Sequence, residues 1–169
     1  MWLCWVLPGN GQAQESSELH RFGDWEVLCG SLAAAELPRT ASASNAATRG
    51  CRAVQRLTIK ETGEAVFILS VLPGDKAGLV AIASIPLGGY LVPGIEVAVD
   101  GKKPYKLLIE TCTSGGCHAG FLLTGQISKD MRAGKSASFR IWSSKSQSSD
   151  VKVSLNGLAD ALSYLERRP

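Results

Sequence analysis

Between residues 21 and 155 the chain alternates apolar and polar side chains in short runs, each stopped by glycine, proline or aspartate. This two-residue period is that of β-strands. Residues 21–29 place Trp25, Val27 and Cys29 on one face, and residues 51–58 resume the pattern. The intervening 30–50 stretch is rich in small residues, has almost no periodicity, and reads as an exposed loop. Residues 65–72 run to Pro73-Gly74-Asp75, and 78–85 run to Pro86-Leu87-Gly88-Gly89. Residues 95–99 alternate cleanly into Asp100-Gly101, a favoured hairpin dipeptide, with 105–112 as the expected partner strand. Residues 120–127, 137–142 and 151–155 complete the series.

One segment has a different period. Leu155, Leu158, Ala159, Leu162 and Leu165 recur at helical spacing, after Asn156 as a cap and before Arg167 and Arg168, whose charge complements the helix dipole. The pattern therefore predicts an all-β fold, an antiparallel β-sandwich or barrel-like domain with one C-terminal α-helix.

A length of 169 residues suits one domain with a real core. The formal net charge of +3 is scattered, and no basic stripe interleaves with aromatics, so nucleic acid is not an expected partner. The N-terminus has a short apolar run, Met-Trp-Leu-Cys-Trp-Val-Leu, then a Pro8-Gly9 breaker and small residues at Gly11 and Ala13. This reads as a signal peptide or its remnant over residues 1–13, with the domain at 14–169. The alternative is a short buried strand. Residues 15–20 form a polar lead-in. No stretch is long and apolar enough to predict a transmembrane helix.

Export changes the meaning of the cysteines. Cys4 leaves with the signal, and the remaining four read as two disulfides. Cys29 and Cys51 end two strand patterns across the loop, while Cys112-Thr-Ser-Gly-Gly-Cys117 closes a glycine turn short enough for a bridge. That turn would present Thr113, Ser114 and His118 as a candidate partner-binding loop. The histidines, His20 and His118, support no catalytic or metal site: adjacency of Cys117 and His118 is not a nucleophile–base pair, and the paired short ligand spacings of zinc sites are missing. Neither a G-x-S-x-G elbow nor a P-loop occurs, so the expectation is no enzyme and no cofactor.

The motifs Phe22-Gly23-Asp24-Trp25 running to Cys29, Cys51 opening a strand, Ile85-Pro86-Leu87-Gly88, and Gly94 through Gly101 occur in that order. Cys112 to Cys117 with Ala119, then Ser154-Leu155-Asn156-Gly157-Leu158 entering an Ala/Leu helix, follow them. Together they resemble the invasion-associated locus B family of exported proteobacterial proteins, over residues 22–165. The resemblance implies a periplasmic, secreted or cell-surface β-rich domain, with some members linked to entry into host cells, and it carries over no catalytic or ligand residues. The expected function is an exported envelope protein that binds a protein or host-cell-surface partner. The alternative is a periplasmic structural or chaperone-like accessory protein without a host role.

Overall fold

The computed structural model describes residues 18–31, 49–74 and 78–167. The expected signal segment, Cys4, Arg168 and nearly all of the 30–50 loop lie outside them. Among the described residues, eleven strands form two antiparallel sheets. The larger contains β1 (Glu18–Phe22), β2 (Trp25–Ser31), β3 (Arg49–Thr58), β4 (Ala65–Pro73), β5 (Leu79–Ile85), β8 (Thr111–Thr113) and β9 (Gly116–Leu122), in the order β1-β2-β3-β4-β5-β9-β8. The smaller contains β6 (Ile95–Val99), β7 (Tyr105–Leu107), β10 (Ser136–Ser144) and β11 (Gln147–Ser154), in the order β11-β10-β6-β7. Phe67 of β4 and Phe139 of β10 meet between the sheets at 4.8 Å, both fully buried. Around them the inward positions alternate as a half-buried strand requires: Leu69 and Val71 on β4, Ala81 and Ala83 on β5, Val97 and Val99 on β6.

Several expectations change. Residues 21–29 are not one strand: a two-residue turn at Gly23-Asp24 pairs Phe22 with Trp25, and Glu18–His20 of the expected polar lead-in belong to β1. Residues 105–112 are also divided, because the chain leaves the smaller sheet after Leu107 and enters the larger one at Thr111. The 120–127 strand is displaced to Gly116–Leu122, and a second helix, α1 (Gly125–Ala133), follows it. The C-terminal helix α2 (Leu158–Glu166) is as expected, burying Leu158, Ala161, Leu162 and Leu165. Its N-cap is Gly157, not Asn156, and Arg167 is its C-cap.

The two motifs furthest apart in the chain meet at one junction. The Gly23-Asp24 turn packs against the corner between β11 and α2, where the Asp24 N–H donates to the Asn156 carbonyl at 3.1 Å. Trp25 donates its indole N–H to the Ser154 carbonyl at 2.9 Å. Ser154 Oγ donates to Asp24 Oδ2 at 2.6 Å, and the Gln55 amide bonds both main-chain groups of Ser154. Both glycines have positive φ, +54° at Gly23 and +85° at Gly157, and a side chain on either would strike the opposite backbone.

A second polar cluster locks α1 to the turn between β6 and β7. Asp130 of α1 is 4% exposed and accepts from Lys102 Nζ at 2.7 Å, Gln126 Nε2 at 2.9 Å and Tyr105 Oη at 3.1 Å. The Lys102 and Gln126 bonds hold its pKa below the usual carboxylate value, against the opposing effect of burial. Asp100, in the left-handed region at φ +48°, accepts from the backbone N–H groups of Lys135 and Ser136, which lower its pKa too. Asp150 is lowered by its bonds to Arg140. A carboxylate with a depressed folded pKa stabilises the fold above its unfolded value and ceases to as pH falls through the folded one. The melting temperature should therefore hold near neutrality and drop as pH falls below the ordinary value of 3.8. Asp130→Asn should lower the melting temperature at pH 7 and flatten the acid limb; an unchanged acid limb would remove Asp130 from this account.

Candidate functional site

One edge of the larger sheet is formed by the β8–β9 hairpin, in which Cys112 faces Cys117 and Thr113 faces Gly116 across a Ser114-Gly115 tip. Both expected disulfides are in place. Cys29 and Cys51 lie directly opposite on β2 and β3, and Cys112–Cys117 crosses the hairpin with its Cα atoms 4.0 Å apart. Gly116 seats the hairpin against the end of β5: a Cβ there would lie 2.4 Å from the Ile85 carbonyl oxygen, at φ +128°. A covalent bridge and a backbone contact thus hold one short turn.

His118 follows the bridge on β9 and points to the outer face, where the register places it between Ser84 of β5 and Thr111 of β8. Its Nδ1 is 2.8 Å from Ser84 Oγ, and its Nε2 is 3.4 Å from Thr113 Oγ1. Thr113 Oγ1 also accepts the Gly115 N–H at 3.2 Å. Burial lowers the His118 pKa, which favours the neutral imidazole. The structure therefore brings two of the three expected loop residues, Thr113 and His118, into one hydrogen-bonded line. Ser114 stands apart at the exposed tip.

Ser84 is the member that sequence reasoning missed. Its signal was a lone hydroxyl in the apolar run Leu-Val-Ala-Ile-Ala-Ser-Ile, at the outward parity of the strand. A serine hydroxyl against a neutral imidazole has the contact of a nucleophile and its base. Here, however, the second ring nitrogen meets a threonine hydroxyl and not a carboxylate, so nothing offsets the charge an imidazolium would carry. The line offers neutral donors and acceptors on a fixed surface. Elsewhere, a shallow groove beside the Gly23-Asp24 turn lies between Arg21, Glu26 and Arg56, with Arg21 and Glu26 already paired at 3.0 Å. Among the described residues no group of three or more His, Cys, Asp or Glu side chains is placed to hold a metal ion. No helix there is long and apolar enough to cross a membrane.

Two packed antiparallel sheets, each disulfide crossing a single strand pair and a helix closing the sheet junction define a disulfide-stapled β-domain. The model of the family described as invasion associated locus B (IalB) protein matches residues 25–166, and the chain belongs to that family. Its fold is also that of the crystal structure of invasion associated protein B from Bartonella henselae. That match has a TM-score of 0.70 at 20% identity, covering 88% of this chain and 95% of that one. Among curated proteins, none matches the chain.

Proposed function

We propose that this chain is an exported, non-catalytic envelope protein that binds a protein or cell-surface partner through the β8–β9 hairpin. The observation that carries the reading is the fixed tip: a bridged turn whose polar side chains need no reordering on binding, which reduces the entropic cost of association. Two disulfides suit an oxidising compartment, which supports a periplasmic, secreted or cell-surface location. The name of the Bartonella henselae relative, invasion associated protein B, directs the search for a partner toward host cells.

The test compares the oxidised domain with a Thr113→Ala/Ser114→Ala/His118→Ala variant for binding to intact host cells and to isolated bacterial envelopes. At least a tenfold loss, about 1.4 kcal/mol, is expected for the variant with its fold intact by circular dichroism. Equal binding by both proteins would remove the hairpin from the interface.

A specific observation favours the periplasmic accessory role as the second reading. The outer face of the larger sheet carries apolar side chains where solvent-facing positions are usually polar, including the cross-strand row Leu72–Val80–Leu122, with Leu122 62% exposed. Suppression of aggregation of an unfolded client, lost on Leu122→Ser but retained by the hairpin variant, would select that role.

A further inference from the structure

The smaller sheet ends at β11, and among the described residues no strand pairs with the outer edge of that strand. Its main-chain groups can be assigned by parity. The Leu155 N–H donates to the Lys135 carbonyl at 3.0 Å, on the side of β10. On the opposite side, Ser154 uses its N–H and carbonyl for Gln55 and Trp25. Main-chain groups alternate in direction along an antiparallel strand. Hence Ser149, Val151 and Val153 bond β10, while Ser148, Asp150 and Lys152 turn their N–H and carbonyl groups away from the sheet. The side chains of Gln147 to Asp150 and of Lys152 are exposed, and Val151 is half-buried on the inner face.

We propose that this edge pairs antiparallel with the β11 edge of a second copy of the chain, joining two four-stranded sheets across a two-fold axis. The charges select the register. Outward-facing groups meet when the axis passes beside Ser149, Asp150, Val151 or Lys152, and an axis at Ser149 sets Asp150 only against the uncharged Ser148. An axis at Asp150 sets two aspartates opposite one another, and an axis at Lys152 sets two lysines opposite one another; like charges directly across a ladder destabilise it. An axis at Val151 sets Asp150 opposite the partner's Lys152, twice. It also extends a row that already alternates in sign. Glu96 lies opposite Arg140, which bonds Asp150 at 2.8 and 3.0 Å, and the partner's Lys152 adds the next positive charge. On the inner face the two Val151 side chains meet at the axis.

This interface uses the smaller sheet alone and leaves the β8–β9 hairpin, at the edge of the larger one, free in both copies. It is independent of the binding role proposed for that hairpin. An edge pairing buries little area, so the dimer is weak and concentration-dependent.

Sedimentation equilibrium of the oxidised protein tests it. The unmodified chain should dimerise at high micromolar concentration. Lys152→Asp, which leaves the Arg140 pair in place, should weaken association at least about tenfold by opposing Asp150 with a second carboxylate. Asp150→Lys combined with Lys152→Asp should restore it. Val151→Cys should cross-link two copies through residue 151 under mild oxidation, because that axis alone brings both Cα atoms to about 4.5 Å, within disulfide reach. A chain that stays monomeric at millimolar concentration, or a dimer indifferent to Lys152→Asp, would overturn the proposal. A dimer whose Val151→Cys form does not cross-link would overturn the register. Lys152→Asp and Val151→Cys decide the matter even where the double exchange fails to fold.

Discussion

Gly157→Ala is expected to abolish cooperative folding, or to cost more than about 4 kcal/mol, the range reached only by severe backbone or core disruption. Two effects combine. At φ +85° the residue is in the left-handed region, where a Cβ costs roughly 1–2 kcal/mol on its own. In addition, that Cβ would lie 2.0 Å from the Phe22 carbonyl oxygen and 2.4 Å from its carbon. Those atoms belong to the β1–β2 hairpin, which Trp25, Asp24 and Gln55 tie to Ser154, so they can recede only if the junction opens. Gly63→Ala separates the terms, since Gly63 has φ +71° and nothing within 4 Å of an added Cβ. It should lose only the conformational part. Urea denaturation of both variants makes the comparison; equal losses would mean that the close approach at Gly157 has no energetic weight.

Removing the Cys29–Cys51 bridge by a double alanine substitution should cost about 3 kcal/mol, and removing Cys112–Cys117 about 2. The order follows from loop length, with sequence separations of 22 and 5, because a longer closed loop restricts the unfolded chain more. Native packing separates the two bridges less, since Cys29 and Cys117 both belong to the core cluster, with Cys51 half-buried and Cys112 exposed. Chemical denaturation of the two variants, after non-reducing peptide mapping of the parent, provides the measurement. A reversed order would show that the short bridge acts mainly on the folded state.

Strands with one wet face and one buried face were legible from their side chains alone. Residues 65–72 and 95–99 alternate because Phe67, Leu69, Ile95 and Val97 face the other sheet. The β1–β2 turn was hidden because apolar residues flank it on both sides, although Gly-Asp between them is itself a hairpin signal. The division of residues 105–112 was not legible in principle, since periodicity reports a buried face but not which sheet provides it. Helix α1 escaped because it offers few apolar residues, Ile127 and Met131 among them, and spends a buried position on Asp130, whose partners Lys102 and Tyr105 come from elsewhere in the chain. At the hairpin, Thr113 and His118 were accessible from the cysteine spacing. Ser84 was not, because only strand register places it beside His118.

The junction at Gly23 and Gly157 also sets an order of events in time. Its hydrogen bonds join residues 129 and 130 positions apart, whereas the disulfides span 22 and 5. On any path where the chain emerges N-terminus first, both bridges can be oxidised before Ser154 and Gly157 arrive. The β1–β2 hairpin then waits, with Trp25 unpaired, until almost the whole chain is out. Closure is accordingly a late, slow step of high contact order, acting on a chain whose freedom the disulfides have already reduced.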